Sequence, residues 1–160
     1  MDYLAHALWS IIIFHKTKKI KWAVLFGLLP DSLSWMIYMF YNLLFNGFQR
    51  GAPHLESIPD WVFTLYGLSH SIIICAIVFG IVYLILKKVP LYMYAWPVAI
   101  VMDIPTHSKE FLPTPFLWPF NVYFDGISWG NPWFMLVNYS LIGIGLVWVY
   151  KNLKKRKNSV

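Results

Sequence analysis

Val101-Met102-Asp103-Ile104-Pro105-Thr106-His107-Ser108-Lys109-Glu110 closes a long apolar stretch and opens onto an aromatic-rich run, Phe111 to Phe120. In a helical backbone Asp103 and His107 share one face, so both side chains can reach one point, with Pro105 as the only local obstacle. An ionisable pair in apolar surroundings costs roughly several kcal/mol unless a metal, a counter-charge or cavity water receives it. The pair is therefore the first candidate for a functional site. The surroundings that make it costly also set the class of fold.

Those surroundings are general to the chain. Of 160 residues, 59% are hydrophobic, 19% aromatic and only 12% charged, well outside the soluble norm, so a single integral membrane domain over 1–160 is expected. Five apolar segments follow one another: Tyr3 to Phe14, Trp22 to Phe45 interrupted at Pro30-Asp31, Trp61 to Leu86, about Val89 to His107, and Trp133 to Tyr150. They predict an all-α, multi-pass transmembrane bundle of about five membrane-embedded helices, although the first is short for a span of about 20 residues. A cleaved signal peptide is not expected, because the basic residues follow the first apolar run instead of preceding it.

A formal charge of +6 raises nucleic acid as a partner, but the cations sit in short clusters between apolar runs and not along one face. The expected partner is the lipid bilayer, with no nucleic acid; protein partners cannot be read. All the Lys and Arg residues except Arg50 and Lys109 fall in the connection Lys16 to Lys21, at Lys87-Lys88, or in the basic tail 151–160. If segments two to five each cross once, these groups share one side. The positive-inside rule makes that side cytoplasmic in a cell (inner) membrane, with Asn46 to Asp60 and Ser108 to Pro132 outside. The second outer loop carries Pro113, Pro115, Pro119 and Pro132 among aromatics. It is too proline-rich for a helix and too apolar for a solvated loop, and is expected to fold back over the bundle or lie in the interface. The lone Cys75 reads as core.

Embedded polar residues recur in the first four segments: His6 and Ser10, Asp31 beside Pro30, Ser69-His70-Ser71, then Asp103 and His107. Any one of them reads as a hydrogen-bonded core residue. Together, His6, Asp31, His70, Asp103 and His107 make a candidate set from which ligands for one divalent metal, zinc by their chemistry, can be collected from facing helices. Asp31 or Glu110 is the candidate general base. Two other readings stay open: Asp31 and Asp103 as caps of helix halves restarted beside proline, and His6 in a buried ion pair without a metal. His15 and His54 read as bystanders, and Asp125-Gly126 as a turn.

Ala5-His6-Ala7 with Ser10, Leu28-Leu29-Pro30-Asp31, Ser69-His70-Ser71, and Asp103 to His107 followed by Pro115-Phe116-Leu117-Trp118-Pro119 resemble, in order and spacing, the YdjM-like membrane-bound metal-dependent hydrolases, also called LexA-binding inner-membrane proteins. The resemblance spans Leu4 to about Trp133. It implies a divalent metal at the residues above and, through the family's comparison with zinc-dependent phospholipase C-type enzymes, phosphoester hydrolysis. The chain departs from the family pattern where a His-Arg-Gly turn would precede the third motif, reading Leu65-Tyr66-Gly67, and at Ala99, where members often carry His. One metal is therefore expected. The function that follows is a membrane-embedded metal-dependent hydrolase of a lipid or lipid-linked (phospho)ester. The alternatives are a non-catalytic metal- or ion-binding or transport protein, or a structural membrane protein with a buried polar cluster.

Overall fold

The computed structural model describes residues 1–47 and 53–158, with side chains as far as Lys155. Arg50 and the middle of the Asn46 to Asp60 connection lie outside the described residues. Every regular element described is helical: α1 Tyr3–Phe14, α2 Ile20–Asp31, α3 Ile37–Phe45, α4 Asp60–Ser69, α5 Ile72–Leu86, α6 Ala95–Asp103 and α7 Pro132–Asn158. The expected all-α class holds.

The number of spans does not. Among the described residues two helices are long and apolar enough to cross a membrane, Ile20–Phe45 and Pro132–Lys155, or three if the bent pair α4 and α5 counts as one. At 1.5 Å per residue, α1 with 12 residues and α6 with 9 reach only about 18 and 14 Å, against a hydrocarbon core of about 30 Å. In the stretch expected as a fourth helix, Pro90, Pro97 and Pro105 restrict where a helix can run. A 3-10 turn, Leu91–Tyr94, precedes α6, and another, Ile104–Thr106, carries Pro105 past its end.

Two interruptions have clear local causes. Pro30 cannot donate to the helix ladder, and the chain passes through a π turn, Ser32–Met36, before resuming as α3. Ser32 Oγ donates to the Leu28 carbonyl at 2.7 Å and Ser34 Oγ to that of Pro30 at 2.9 Å. The helix is thus re-phased without being cut. Between α4 and α5 the axis turns by 55°. Ser71 is extended there and caps α5 by accepting from Ile74 N at 3.3 Å, while Ile72 N leaves the ladder to donate to the Phe116 carbonyl at 2.9 Å.

Phe116 belongs to the proline-rich loop, which folds back onto the bundle as expected. Tyr66 donates its hydroxyl to the Leu112 carbonyl at 3.2 Å, and Ser71 to that of Trp118 at 2.8 Å. Leu112 and Thr114 are buried. Beyond Pro119 the loop turns its apolar side chains outward, with Phe120, Phe124 and Ile127 exposed. Its far limb returns to pair with 105–107, through Gly126 N to His107 O and Ile127 N to Pro105 O at 2.9 Å and Trp129 N to Thr106 O at 3.0 Å. Asp125 is a turn residue, accepting from Lys109 N at 2.9 Å.

Small residues let α1 and α2 approach closely. Ala5 and Ala23 are fully buried, and Ala23 with Gly27, one turn on, makes a small-xxx-small face against Ser10. A Cβ at Gly27 would meet the Ser10 Cβ at 3.2 Å and overlap its hydroxyl. Gly27→Val is expected to wedge α1 from α2 at a cost of about 1–3 kcal/mol, lowering the unfolding temperature in detergent. An unchanged unfolding curve would contradict this packing. Elsewhere, Ile12, Ile142 and Val149 join α1 to α7, while Cys75, Trp96 and Ile100 join α5 to α6, confirming Cys75 as core.

Candidate metal and catalytic site

Four elements deliver one polar cluster to the middle of this bundle. His6 comes from the first turns of α1, Asp31 from the last residue of α2 before the π turn, His70 from the α4–α5 break, and Asp103 from the last residue of α6. His107 follows the 3-10 turn. All five predicted metal-site residues therefore meet. His6, His70 and Asp103 are almost wholly buried, and His107 nearly so.

The distances converge on the two carboxylates. His6 Nε2 lies 2.9 Å from Asp103 Oδ1 and 3.9 Å from Asp31 Oδ2. His70 Nε2 lies 3.5 Å from Asp31 Oδ1 and 3.7 Å from Asp103 Oδ2, and His107 Nδ1 lies 3.7 Å from Asp103 Oδ1. The Met1 amino group also rests against Asp103 Oδ1. Neither Asp31 nor Asp103 makes a side-chain cap to the turn that follows it, so the capping reading falls away.

His70 is the informative member. Its Nδ1 lies 3.2 Å from the Tyr66 carbonyl and 3.0 Å from Ser69 Oγ. A carbonyl can only accept, which assigns the proton of a neutral imidazole to Nδ1 and leaves a bare lone pair on Nε2. That lone pair has no hydrogen-bond partner, nor has Asp103 Oδ2 facing it. Two acceptors brought together inside a protein repel unless a proton or metal ion lies between them. Ligands at about 2.0–2.1 Å around a tetrahedral zinc stand about 3.3 Å apart. The separations here, 2.9 to 3.9 Å, bracket that value. No group of three or more of these side chains is already arranged to hold an ion among the described residues; Asp103 Oδ1 is instead occupied by His6 and the amino group.

The cluster forms one end of a cavity of about 580 Å³. Asp31 and His107 reach it, and its walls are mostly apolar, with Trp35, Met39 and Leu43 on the π turn and α3 and Phe111 and Leu112 on the loop. Burial pushes the His107 imidazole down to about 4, so it is neutral at pH 7, the form that binds metals.

Glu110 is exposed and does not line the cavity, whereas Asp31, the other candidate base, does. His15 and His54 lie away from the cluster, as expected of bystanders. Tyr66 was not singled out by sequence: its ring stacks on His70 at 4.0 Å between centroids, its carbonyl orients the same imidazole, and it lines the cavity. It is one of ten tyrosines, and no spacing distinguishes it. No family model, curated protein or solved structure matches the chain.

Proposed function

We propose that the protein is a membrane-embedded, metal-dependent hydrolase of a lipid or lipid-linked phosphoester or ester. The observation that carries the reading is the fully buried His70 Nε2, without a hydrogen-bond partner and facing two carboxylates at 3.5 and 3.7 Å. His6, His70, Asp103 and His107 would hold the ion, which leaves Asp31 on the cavity side without a ligand role. When bound, zinc supplies a water acidified toward neutrality and a Lewis acid for the phosphoryl or acyl oxygen. Asp31, whose side chain is 19% exposed, accepts the proton of the attacking water and returns it to the leaving oxygen as the ester bond breaks. The apolar walls hold the hydrophobic part of the substrate and exclude bulk water.

The resemblance to the YdjM-like hydrolases supports the same reading. Lys16 and Lys155 line one pocket, so the lysines after α1 and those of the tail share an end, which supports a cytoplasmic C-terminus in the inner membrane. Transport fits less well, since the carboxylates and cluster imidazoles gather at one level and do not line a path through the bundle.

Elemental analysis of the detergent-purified protein tests the reading directly. About one zinc per chain is expected in the wild type and none in His70→Ala, with hydrolysis of a phospholipid ester lost in parallel. Failure to bind zinc even when it is supplied would leave His6 and Asp103 as a structural ion pair and end the hydrolase proposal.

A further inference from the structure

No Asp or Glu side chain lies at the end of the molecule that carries the lysine connections. The seven acidic residues are Asp2, Asp31, Glu56, Asp60, Asp103, Glu110 and Asp125. They fall at the start of α1, the end of α2, between α3 and α4, on the first residue of α4, or from the end of α6 into the loop before α7. The lysines cluster between α1 and α2, between α5 and α6, and at the end of α7. Every ion pair among the described residues belongs to the central cluster, and none includes a lysine. The described residues give these cations no counter-charge.

Part of this basic end is built as a pocket. The C-terminal turn of α1 and the last turns of α7 enclose about 420 Å³ lined by His15, Lys16, Trp148, Asn152, Leu153 and Lys155. His15 donates from Nδ1 to the Ile12 carbonyl at 2.8 Å, and the Trp148 ring meets it edge-on at 4.9 Å. These contacts fix one wall, while Nε2 of His15 keeps no hydrogen-bond partner. Lys16 and Lys155 stand exposed at the rim of this half-open pocket, beside a half-buried imidazole and amide. An apolar track leads away from the mouth: Ile144 and Trp148, one turn apart on α7, and Ile13 on α1 are all exposed.

We propose that this pocket binds the phosphate group of an anionic phospholipid, whose acyl chains lie along the Ile144–Trp148 face. Two ammonium groups and an amide donor suit phosphate oxygens, and basic pockets between membrane helices at the cytoplasmic side take such headgroups. The site is remote from the metal cluster and does not depend on the hydrolase reading.

The test uses the full chain in neutral detergent at about 0.15 M salt, where the Debye length is about 8 Å and diffuse attraction is screened. Retained lipid is counted by native mass spectrometry with dioleoylphosphatidylglycerol and dioleoylphosphatidylcholine as probes. The wild type is expected to prefer the phosphatidylglycerol, and Lys16→Gln with Lys155→Gln to weaken it about thirty-fold, or about five-fold per lysine. Lys18→Gln with Lys151→Gln makes the same charge change at the same end outside the pocket, and is expected to change binding by no more than about two-fold. All four lysines are exposed, and unchanged gel-filtration elution checks that the variants fold. Competition by inorganic phosphate would assign recognition to the phosphate group alone; pocket-dependent binding without competition would assign it to the intact lipid. No preference between the two lipids, or equal weakening in both double variants, would overturn the proposal.

Discussion

Asp103→Ala is expected to be among the most damaging single substitutions in the chain, destabilising it by about 3–5 kcal/mol and abolishing the proposed metal binding. The Asp103 side chain is completely buried at the end of α6, and its Oδ1 accepts from His6 Nε2 at 2.9 Å. His70 and His107 each bring a ring nitrogen within 3.7 Å of its carboxylate. Without that carboxylate, His6 Nε2 and the Met1 amino group lose their acceptor and a cavity opens among the three imidazoles. Thermal unfolding of the metal-free protein in one detergent measures the stability loss, and elemental analysis the loss of zinc. Asp103→Asn separates the two effects. It keeps the volume and one acceptor oxygen, so it is expected to cost only about 1–2 kcal/mol, yet an uncharged amide oxygen is a poor zinc ligand and the metal should still be lost. Zinc retained at full stoichiometry in Asp103→Asn would exclude Asp103 as a ligand, and an unchanged Asp103→Ala unfolding curve would exclude the cluster from stability.

Gly126→Ala is expected to unseat the outer loop although it adds a single methyl group. A Cβ there would stand 2.5 Å from the Pro105 carbonyl carbon and 2.9 Å from the His107 carbonyl oxygen. Both are backbone atoms, held by the three hydrogen bonds that tie 126–129 to 105–107. They cannot yield as the end of a side chain would. Overpacking and the loss of those bonds together cost about 3–5 kcal/mol. Because His107 lies on the limb that is disturbed, the proposed hydrolysis should fall with the docking, and limited proteolysis between 120 and 131 should quicken several-fold. Gly130→Ala is the control, since its Cβ would meet only Ser128 Oγ at 3.7 Å, an ordinary contact. If the two variants are cut at the same rate, the loop is not docked through Gly126.

Both variants act on contacts of very different visibility in the sequence. The apolar runs at 3–14 and 22–45 announce α1 and the long helix through Ile20–Phe45 almost to the residue, because hydrophobic content and length are local properties. Segment four is apolar enough to read as one helix, but Pro90, Pro97 and Pro105 confine its α-helix to nine residues. Its short helix is also what stops Asp103 inside the protein, at the level of the cluster. The break at Ser69-His70-Ser71 has no proline or glycine to signal it, and depends on Ile72 N finding the Phe116 carbonyl, more than forty residues away in sequence.

The same division runs through the site. Membrane solvent, helical class and the five polar residues out of place in apolar segments all follow from side-chain chemistry read along the chain, since burying such groups is costly wherever they end up. Their meeting at 2.9 to 3.9 Å, the proton position on His70, the part of Tyr66 and the exposure of Glu110 depend on how α1, α2, α4 and α6 pack. Distances between residues a hundred positions apart are fixed by small-residue helix contacts and by the returning loop, and no spacing within a segment encodes them.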